Sequence, residues 1–441
     1  MNQISKSPLT TAEFFIELKQ NEKAKIVLDL LKPYATSIEN IDQIGKLYAD
    51  IREFNDTLEL AHRIYDLCND DQTRYTARVN IIRAHLNLNQ PKEALEYILI
   101  NEKQKPNDHT NQMDKAMVYF LLNQKPIGEK ILRNILTQPR TKDVDKRVTF
   151  NLGTYELSAG NFRPGLRKVM LAGRELNIWE SYNLPKENNF TGKIEPGKTI
   201  LMCFEGGMGD EIISVRFAKH FKDKGMNPIW YTGRTDLAAI FKRAGFEVIT
   251  NLKDYKSDWL WCYAMPSPCY LELEQEDLWY GPYITPLRVK EQLPGNKKVG
   301  IKTMGNPKYD QDLHRTIPWE DTINAIPEDY TIYSFHIDED FYHPRVINLK
   351  DKIKSWEDTL DYIDQMDMIV SSCTSLVHAA AAMDKKTYVC VPILNYYTWA
   401  ITGEHTKWYS DNLTIIRQTE YDNWNAPMTE LKELLHDLHI R

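Results

Sequence analysis

Apolar positions along the chain follow two rhythms, and the change from one to the other divides it. Through residues 1–182 they recur with a helical period, interrupted by polar turns. Four segments, 20–27, 54–61, 88–95 and 122–129, return at a spacing of about 34 residues. Each has a polar turn, often with Asn, followed by an apolar-periodic stretch. A fifth copy, slightly out of step, runs from Asn151 through Leu152, Gly153 and Tyr155 to the turn Gly160-Asn161-Phe162. One helix pair cannot bury its own apolar face, so such pairs stack into a solenoid. A solenoid binds a partner along its groove, or it scaffolds or dimerises the domain attached to it.

After residue 182 the rhythm changes. Residues 183–198 are rich in Pro, Asn, Gly and Lys and read as a linker. Short apolar runs and helical patterns then alternate: strands at 199–204, 228–231 and 246–249, with helices at 211–224 and 237–245. The stretch 259–283 is aromatic and irregular, and reads as a substrate-lining or lobe–lobe segment or, equally, as core. A second linker at 293–298 opens another series. Its strands lie at 299–303, 330–335, 368–371 and 387–391, and its helices at 356–366, 376–383 and 428–439. Such alternation predicts parallel, doubly wound sheets. The expected architecture is α + α/β: a helical repeat domain (1–182), a linker (183–198) and two Rossmann-like lobes (199–292 and 293–441) with a cleft between them.

Composition narrows the setting. With 441 residues, 42% apolar and 27% charged, the chain reads as a soluble protein of two or three domains. No apolar run is long enough for a membrane span, and the N-terminus lacks the apolar core of a signal peptide. Six scattered cysteines without a Cys-x-x-Cys pair fit a reducing, cytoplasmic setting. A net charge of −7 does not favour nucleic acid. The stretch 140–174 is locally basic, with Arg140, Lys142, Lys146, Arg147, Arg163, Arg167, Lys168 and Arg174 against Asp143, Asp145 and Glu156. It is either a solvated helical face or a landing surface for a polyanionic acceptor.

Three strings carry candidate chemistry. The first, Glu205-Gly-Gly-Met-Gly-Asp210, joins an apolar strand to a helix. Its glycines let the backbone approach a ligand. A carboxylate at the helix entrance does not suit a phosphate loop, and Asp210 reads as a general base facing a substrate hydroxyl. The second is Met368 to His378, where a strand runs into hydroxyl residues and an Ala-rich helix. Ser372, Thr374 and Ser375 are placed to cap that helix, whose free amides would face an anion, with His378 one turn in. The third is the loop 305–318, with Lys302, Lys308, His314 and Arg315 available for a pyrophosphate. Asp310-Gln-Asp312 and Asp338-Glu-Asp340 have the acidic triplet form used for divalent metals, a form frequent by chance in an acidic chain. No zinc spacing, phosphate-loop motif or nucleophile elbow is present.

Taken together, the strings resemble a known family. The repeat period and the copy around Leu152–Leu166 resemble the tetratricopeptide consensus. Glu205, Gly207, Gly209, Asp210, Ile212 and Arg216 resemble the N-lobe signature of tetratricopeptide glycosyltransferases related to ADP-heptose:lipopolysaccharide heptosyltransferases and O-GlcNAc transferases. Gly305-Asn306-Pro307 and Arg315-Thr-Ile-Pro318 are similar to the start of their C-lobe. Ser371, Thr374, His378 and Ala379-Ala380 resemble their donor-phosphate motif, and Trp399, Trp408, Arg417 and Trp424 their closing segment. The likeness spans roughly residues 195–435. Cys373 stands where the family usually has Asp, and Asp384 and Lys386 where Gly and Pro are usual.

The resemblance implies a GT-B fold and inverting sugar transfer without a metal or other cofactor. It implies Asp210 as the base. It implies Lys302, Asn306, Arg315, Ser372, Thr374, Ser375 and His378 around the nucleotide-sugar donor. Glu205, Gly207, Gly209 and Arg216 would shape the acceptor loop, and Trp399 and Trp408 would line the cleft. The acceptor would be a protein, a glycan or lipopolysaccharide, or a hydroxylated base in DNA, docked by the repeats, which could also carry a homo-oligomer contact. The alternative is a non-catalytic adaptor with a relic transferase domain, a reading that Cys373 favours.

Overall fold

In this computed structural model, residues 6–176, 181–286, 291–306, 312–337 and 342–440 are described. The chain divides into two compact units, Met1–Arg140 and Thr141–Arg441. The first is helical: α1 (Lys6–Glu17), α2 (Asn21–Leu31), α3 (Ile38–Asp50), α4 (Phe54–Leu67), α5 (Asp71–Asn87), α6 (Pro91–Gln104), α7 (His109–Leu121) and α8 (Lys125–Ile135). The helices pair in sequence, and every pair is joined by one kind of turn. A residue with left-handed backbone, Lys19, Arg52, Asn89 or Asn123, ends the first helix of each pair. The next amide bonds back across the turn: Gln20 to the Phe15 carbonyl at 2.8 Å, Glu53 to Tyr48 at 2.9 Å, Gln90 to His85 at 2.8 Å and Gln124 to Tyr119 at 2.8 Å. This is the Schellman closure, which satisfies carbonyls the helix end would otherwise orphan. Ser37, Asp70 and Asp108 start α3, α5 and α7 by accepting an amide in the first turn. The sequence period is thus a period of helix stops and starts.

The second unit begins with α9 (Lys142–Ser158) and α10 (Phe162–Glu175), capped by Thr141 and joined by the same closure at Gly160, where the Asn161 amide reaches the Glu156 carbonyl at 2.9 Å. Leu157, Phe162, Leu166, Val169 and Met170 share one core with Ile200, Met202 and Phe217 of the adjoining lobe. The pair read as the fifth repeat is therefore packed into the α/β half.

The N-terminal lobe comprises β1 (Thr199–Cys203), α11 (Met208–Ser214), α12 (Phe217–Asp223), β2 (Asn227–Tyr231), α13 (Thr235–Arg243), β3 (Val248–Ile249), β4 (Leu260–Tyr263) and α14 (Ser267–Tyr270). Its sheet is parallel, in the order β3-β2-β1-β4. The C-terminal lobe comprises β5 (Lys298–Lys302), α15 (Asp312–Arg315), α16 (Trp319–Ala325), β6 (Thr331–Ser334), β7 (Val346–Asn348), α17 (Trp356–Gln365), β8 (Met368–Ser372), α18 (Ser375–Ala382), β9 (Thr387–Val391), β10 (Leu413–Arg417) and α19 (Asn425–Ile440). Its sheet, also parallel, runs β10-β9-β8-β5-β6-β7. The two-lobed doubly wound expectation holds. β8 and β9 are buried along their whole length, as central parallel strands are.

Each sheet reverses its strand order once, between β1 and β4 and between β5 and β8. Ligands of open α/β sheets bind outside the carboxyl ends of strands at such switch points. Those two places hold the Gly206–Asp210 loop and the Ser371–His378 segment.

Three local expectations differ. The single helix expected at 211–224 is two, because Arg216 turns inward and donates to the Ile213 carbonyl at 2.9 Å, ending α11. The aromatic stretch 259–283 contains β4, and β7 and β10 were not expected at all. No described helix is long and apolar enough to cross a membrane.

Candidate active site

Asp210 is the third residue of α11, and its Oδ2 accepts the Gly207 amide at 2.7 Å. The carboxylate is thereby anchored to its own loop. Its Oδ1 accepts the hydroxyl of Tyr396, which comes from the C-terminal lobe after β9. Burial and that carboxylate hold the Tyr396 phenol well above its ordinary range. Gly209 is a close approach between the lobes: a Cβ there would lie 2.9 Å from His378 Cδ2 and 3.6 Å from Nε2.

Glu205 is buried behind the loop. It pairs with Arg174 of α10 at 3.0 Å and accepts the Met265 amide at 3.3 Å. Arg174 also stacks over Tyr263, 3.3 Å from the ring centroid. Arg234, after β2, ties the loop from the other side, donating to the Gly206 carbonyl at 3.0 Å and to Glu211. Burial pushes the Glu211 carboxyl up, and Arg234 and Thr232 oppose the shift.

Arg216 is fully buried and clasps the lobes together. It donates to the carbonyls of Leu278 at 3.0 Å and of Trp408, and to the Tyr283 hydroxyl at 2.6 Å. The expected acceptor-loop residue is thus placed beneath the loop. Trp399 and Trp408 are likewise buried, not spread along an open wall: Trp408 packs on Phe162 and Phe217, and Trp399 on His378 and Tyr409 of its own lobe.

In the C-terminal lobe, Thr374 is the N-cap of α18, but its side chain does not cap, contrary to expectation. The Ser371 hydroxyl engages it instead at 3.2 Å and donates to the Lys302 carbonyl at 2.8 Å, tying the ends of β5 and β8 together. Ser372 Oγ is buried without a partner among the described residues. Ser375 opens α18. Lys302 Nζ donates to the Phe335 carbonyl at 3.3 Å. Arg315 donates from Nη1 to the Cys373 carbonyl at 2.7 Å and from Nε to Asp312 Oδ1 at 2.7 Å. Gly305 makes that seat: a Cβ there would lie 1.9 Å from Arg315 Nη2. Asn306 is exposed beside it.

His378 is buried, its ring stacked on Trp399 with centroids 4.9 Å apart and 10° between planes. Burial, then Arg216 and Arg315, pushes it down to about 3, so the imidazole is neutral. Trp399 Nε1 donates to Cys373 Sγ at 2.7 Å, and burial holds that thiol up at about 11.

The structure thus brings together Asp210, Gly209 and His378, with Arg315, Lys302, Ser371 and Thr374 around the β5/β8 ends. Sequence reasoning missed Tyr396 and Arg234, met Tyr409 only in the closing segment and Tyr283 only at the end of the aromatic stretch, and placed Arg174 in the basic stretch instead of the site. The one local signal was the aromatic run Tyr396-Tyr397 just past a buried strand. The basic stretch is largely spent in ion pairs: Arg147 with Asp143, Lys146 with Glu175, Arg163 with Glu274, and Lys168 with Glu156. Among the described residues, no cluster of three or more His, Cys, Asp or Glu could hold a metal. Pro307, Lys308, Asp310, Gln311 and the triplet Asp338-Glu-Asp340 lie outside the described residues.

No family profile and no curated protein matches the sequence. Among solved structures the chain is similar to TibC, an iron-containing dodecameric glycosyltransferase from enterotoxigenic E. coli. That match has 12% identity over 55% of this chain and 77% of that chain, with a TM-score of 0.40. It is also similar to the ADP-heptose lps heptosyltransferase II of E. coli, with 12% identity over 55% of this chain and 99% of that one, and a TM-score of 0.36. The O-GlcNAc transferase of Thermobaculum terrenum matches with 9% identity over 100% of this chain and 92% of that one, and a TM-score of 0.34.

Proposed function

We propose that the second unit is an inverting, metal-independent glycosyltransferase that moves a sugar from a nucleotide-sugar donor to a hydroxyl of a macromolecular acceptor. The observation that carries this reading is the meeting of the two switch-point segments. Asp210 from one lobe and His378 from the other are adjacent, through the contact between Gly209 and the His378 ring. One side offers a carboxylate on a glycine loop. The other offers a helix N-terminus, Arg315 and Lys302, the groups that suit a diphosphate.

In this reading Asp210 takes the proton from the acceptor hydroxyl as its oxygen attacks the anomeric carbon. The bond from that carbon to the diphosphate oxygen breaks, and the electron pair leaves on the diphosphate. Fixed dipoles and cations stabilise the charge that develops there. Because Thr374 does not cap with its side chain, the Ser375 and Leu376 amides at the start of α18 are left to the phosphate, while the Val377 amide bonds the Thr374 carbonyl at 3.1 Å. One displacement inverts the anomeric centre. The helical repeats of the first unit dock the acceptor, and the six free cysteines fit a cytoplasmic setting.

The test is a thermal-shift panel of nucleotide sugars, followed by transfer assays with Asp210→Asn. A donor at a hundredfold its dissociation constant adds about 2.7 kcal/mol of stability. Asp210→Asn should keep that stabilisation and lose transfer by about a hundred- to ten-thousandfold. Full activity in the variant removes Asp210 from the chemistry. A panel in which no nucleotide stabilises the protein favours the adaptor reading, for which the buried thiol of Cys373 in place of a carboxylate speaks.

A further inference from the structure

The segment between β9 and β10 touches both halves of the candidate site. Tyr396 donates to Asp210. Three residues on, Trp399 covers the His378 ring and donates to Cys373 Sγ at 2.7 Å. Near the end of the segment, the Tyr409 hydroxyl lies 2.9 Å from His378 Nδ1. The carboxylate and the imidazole are thus both contacted from one turn, and whatever fixes that turn bears on both.

The turn is fixed through its main chain. Arg417, the last residue of β10, is half-buried, and among the described residues its hydrogen bonds all go to carbonyls of residues 399–403. Nη1 donates to Ala400 at 2.7 Å, Nη2 to Trp399 at 2.6 Å and to Gly403 at 2.9 Å, and Nε to Gly403 at 3.1 Å. Asn395 Nδ2 adds bonds to the carbonyls of Tyr396 at 3.1 Å and Ala400 at 2.9 Å. A planar guanidinium fork spans several carbonyls at once, which a lysine ammonium, a single point of charge, does not. At the centre of this cup stands Ala400, with φ 45° and ψ 165°. Glycine visits that backbone region freely and alanine does not. Such strain persists only where the surrounding structure over-determines it, and it gathers at functional sites. Here two donors converge on the Ala400 carbonyl, and the next amide, Ile401, is fastened to the Ser158 carbonyl at the end of α9 at 3.0 Å.

We infer that Arg417 is a positioning residue for both halves of the site. It holds Ala400 in its strained conformation, and the turn so held keeps Tyr396 on Asp210 and Trp399 on His378 and Cys373. The inference deepens the transferase reading and rests on it for the chemistry that is served. The hold on the turn itself does not depend on that reading.

Two measurements test it, and the first needs no substrate. Trp399 covers the buried Cys373 thiol, so the rate at which a maleimide labels Cys373, read at that residue by mass spectrometry, reports the state of the turn. Arg417→Gln should raise that rate by about tenfold or more. Adding Ala400→Gly, which lets the same backbone form without strain, should bring it back to within about threefold of wild type. An unchanged rate in Arg417→Gln, or a double variant that labels as fast as the single one, overturns the assignment. The rescue also separates a released turn from a lobe that fails to fold, which one added glycine would not restore. The second measurement is the pH profile of transfer. Arg417→Gln and Tyr396→Phe should shift the acid limb of kcat/KM in the same direction and by the same amount, and the two combined should shift it no further. A larger shift in the combined variant overturns the route through Tyr396. If no nucleotide sugar supports transfer, the transferase reading fails, and the labelling rates alone decide the role of Arg417.

Discussion

Gly209 in the N-terminal lobe meets the imidazole of His378 in the C-terminal lobe so closely that one added carbon would come within 2.9 Å of the ring. The ring cannot yield cheaply, because Trp399 is stacked on its plane and Tyr409 holds its Nδ1. Gly209→Ala should therefore wedge the lobes at the point where the two candidate halves of the site touch. We expect transfer to fall by about tenfold or more, while the unfolding midpoint falls by the few degrees that about 1–2 kcal/mol of overpacking produces. Wild-type activity in this variant would show that the contact does not govern the reacting geometry.

Tyr396 occupies the carboxylate oxygen of Asp210 that does not bond the loop. In the proposed reaction an acceptor hydroxyl must share or displace it. A hydrogen bond donated to a carboxylate favours its charged form, so the phenol weakens the base it holds. Tyr396→Phe should move the acid limb of the kcat/KM profile to higher pH. It should also raise hydrolysis of the nucleotide sugar relative to transfer, since water can then reach the base. A profile that superimposes on wild type would mean that the phenol has left Asp210 before the chemical step.

His336 and His378 are both pushed down to about 3, each chiefly by burial, with Lys302 adding at His336 and Arg216 and Arg315 at His378. An unfolded imidazole titrates near about 6.5. Between those values the unfolded chain binds more protons than the folded one, so stability rises with pH. The two histidines cost nothing above about pH 7, and each removes about 1.4 kcal/mol per pH unit as the pH falls below about 6.5. The urea midpoint should drop from pH 7 to pH 5, and His378→Gln should reduce that slope by about one proton's share. An unaltered slope would place a proton on the native ring.

Glu205 is a buried carboxylate whose cation arrives from a helix, Arg174 of α10. Arg174→Met keeps the bulk and strands that charge. Removing one partner of a buried pair costs about 3–5 kcal/mol. Chemical denaturation should report a loss of that order, and a loss below about 1 kcal/mol would show that Glu205 takes up a proton or water instead.

How much of this could be read from the chain depends on the distance over which each signal acts. Gly207, Gly209, Asp210 and the run from Ser371 to His378 stand at strand ends, where the turn and the helix start are local and leave local strings. The stops of α1, α3, α5 and α7 are local as well, which is why the period showed even where the consensus was weak. Tyr396 and Asp210 are 186 positions apart, and Arg216 and the Trp408 carbonyl 192. Nothing in either neighbourhood announces such a pairing. Thr374 had every local reason to cap α18, yet the nearby Ser371 hydroxyl engages it. The resemblance alone places Arg216 in the acceptor loop; its burial is decided by Tyr283, Trp408 and Tyr409, which come from other segments.

The pair α9 and α10 carries the punctuation of a repeat and the packing of the α/β half. Copies of a repeat are gained and lost by duplication and deletion, and upstream of Thr141 such events trade one helix hairpin for another. The last hairpin is exempt. Its deletion would remove Arg174 from under the glycine loop and Phe162 from beside Trp408. The final hairpin is therefore bound to the α/β half, whatever the number of hairpins before Thr141.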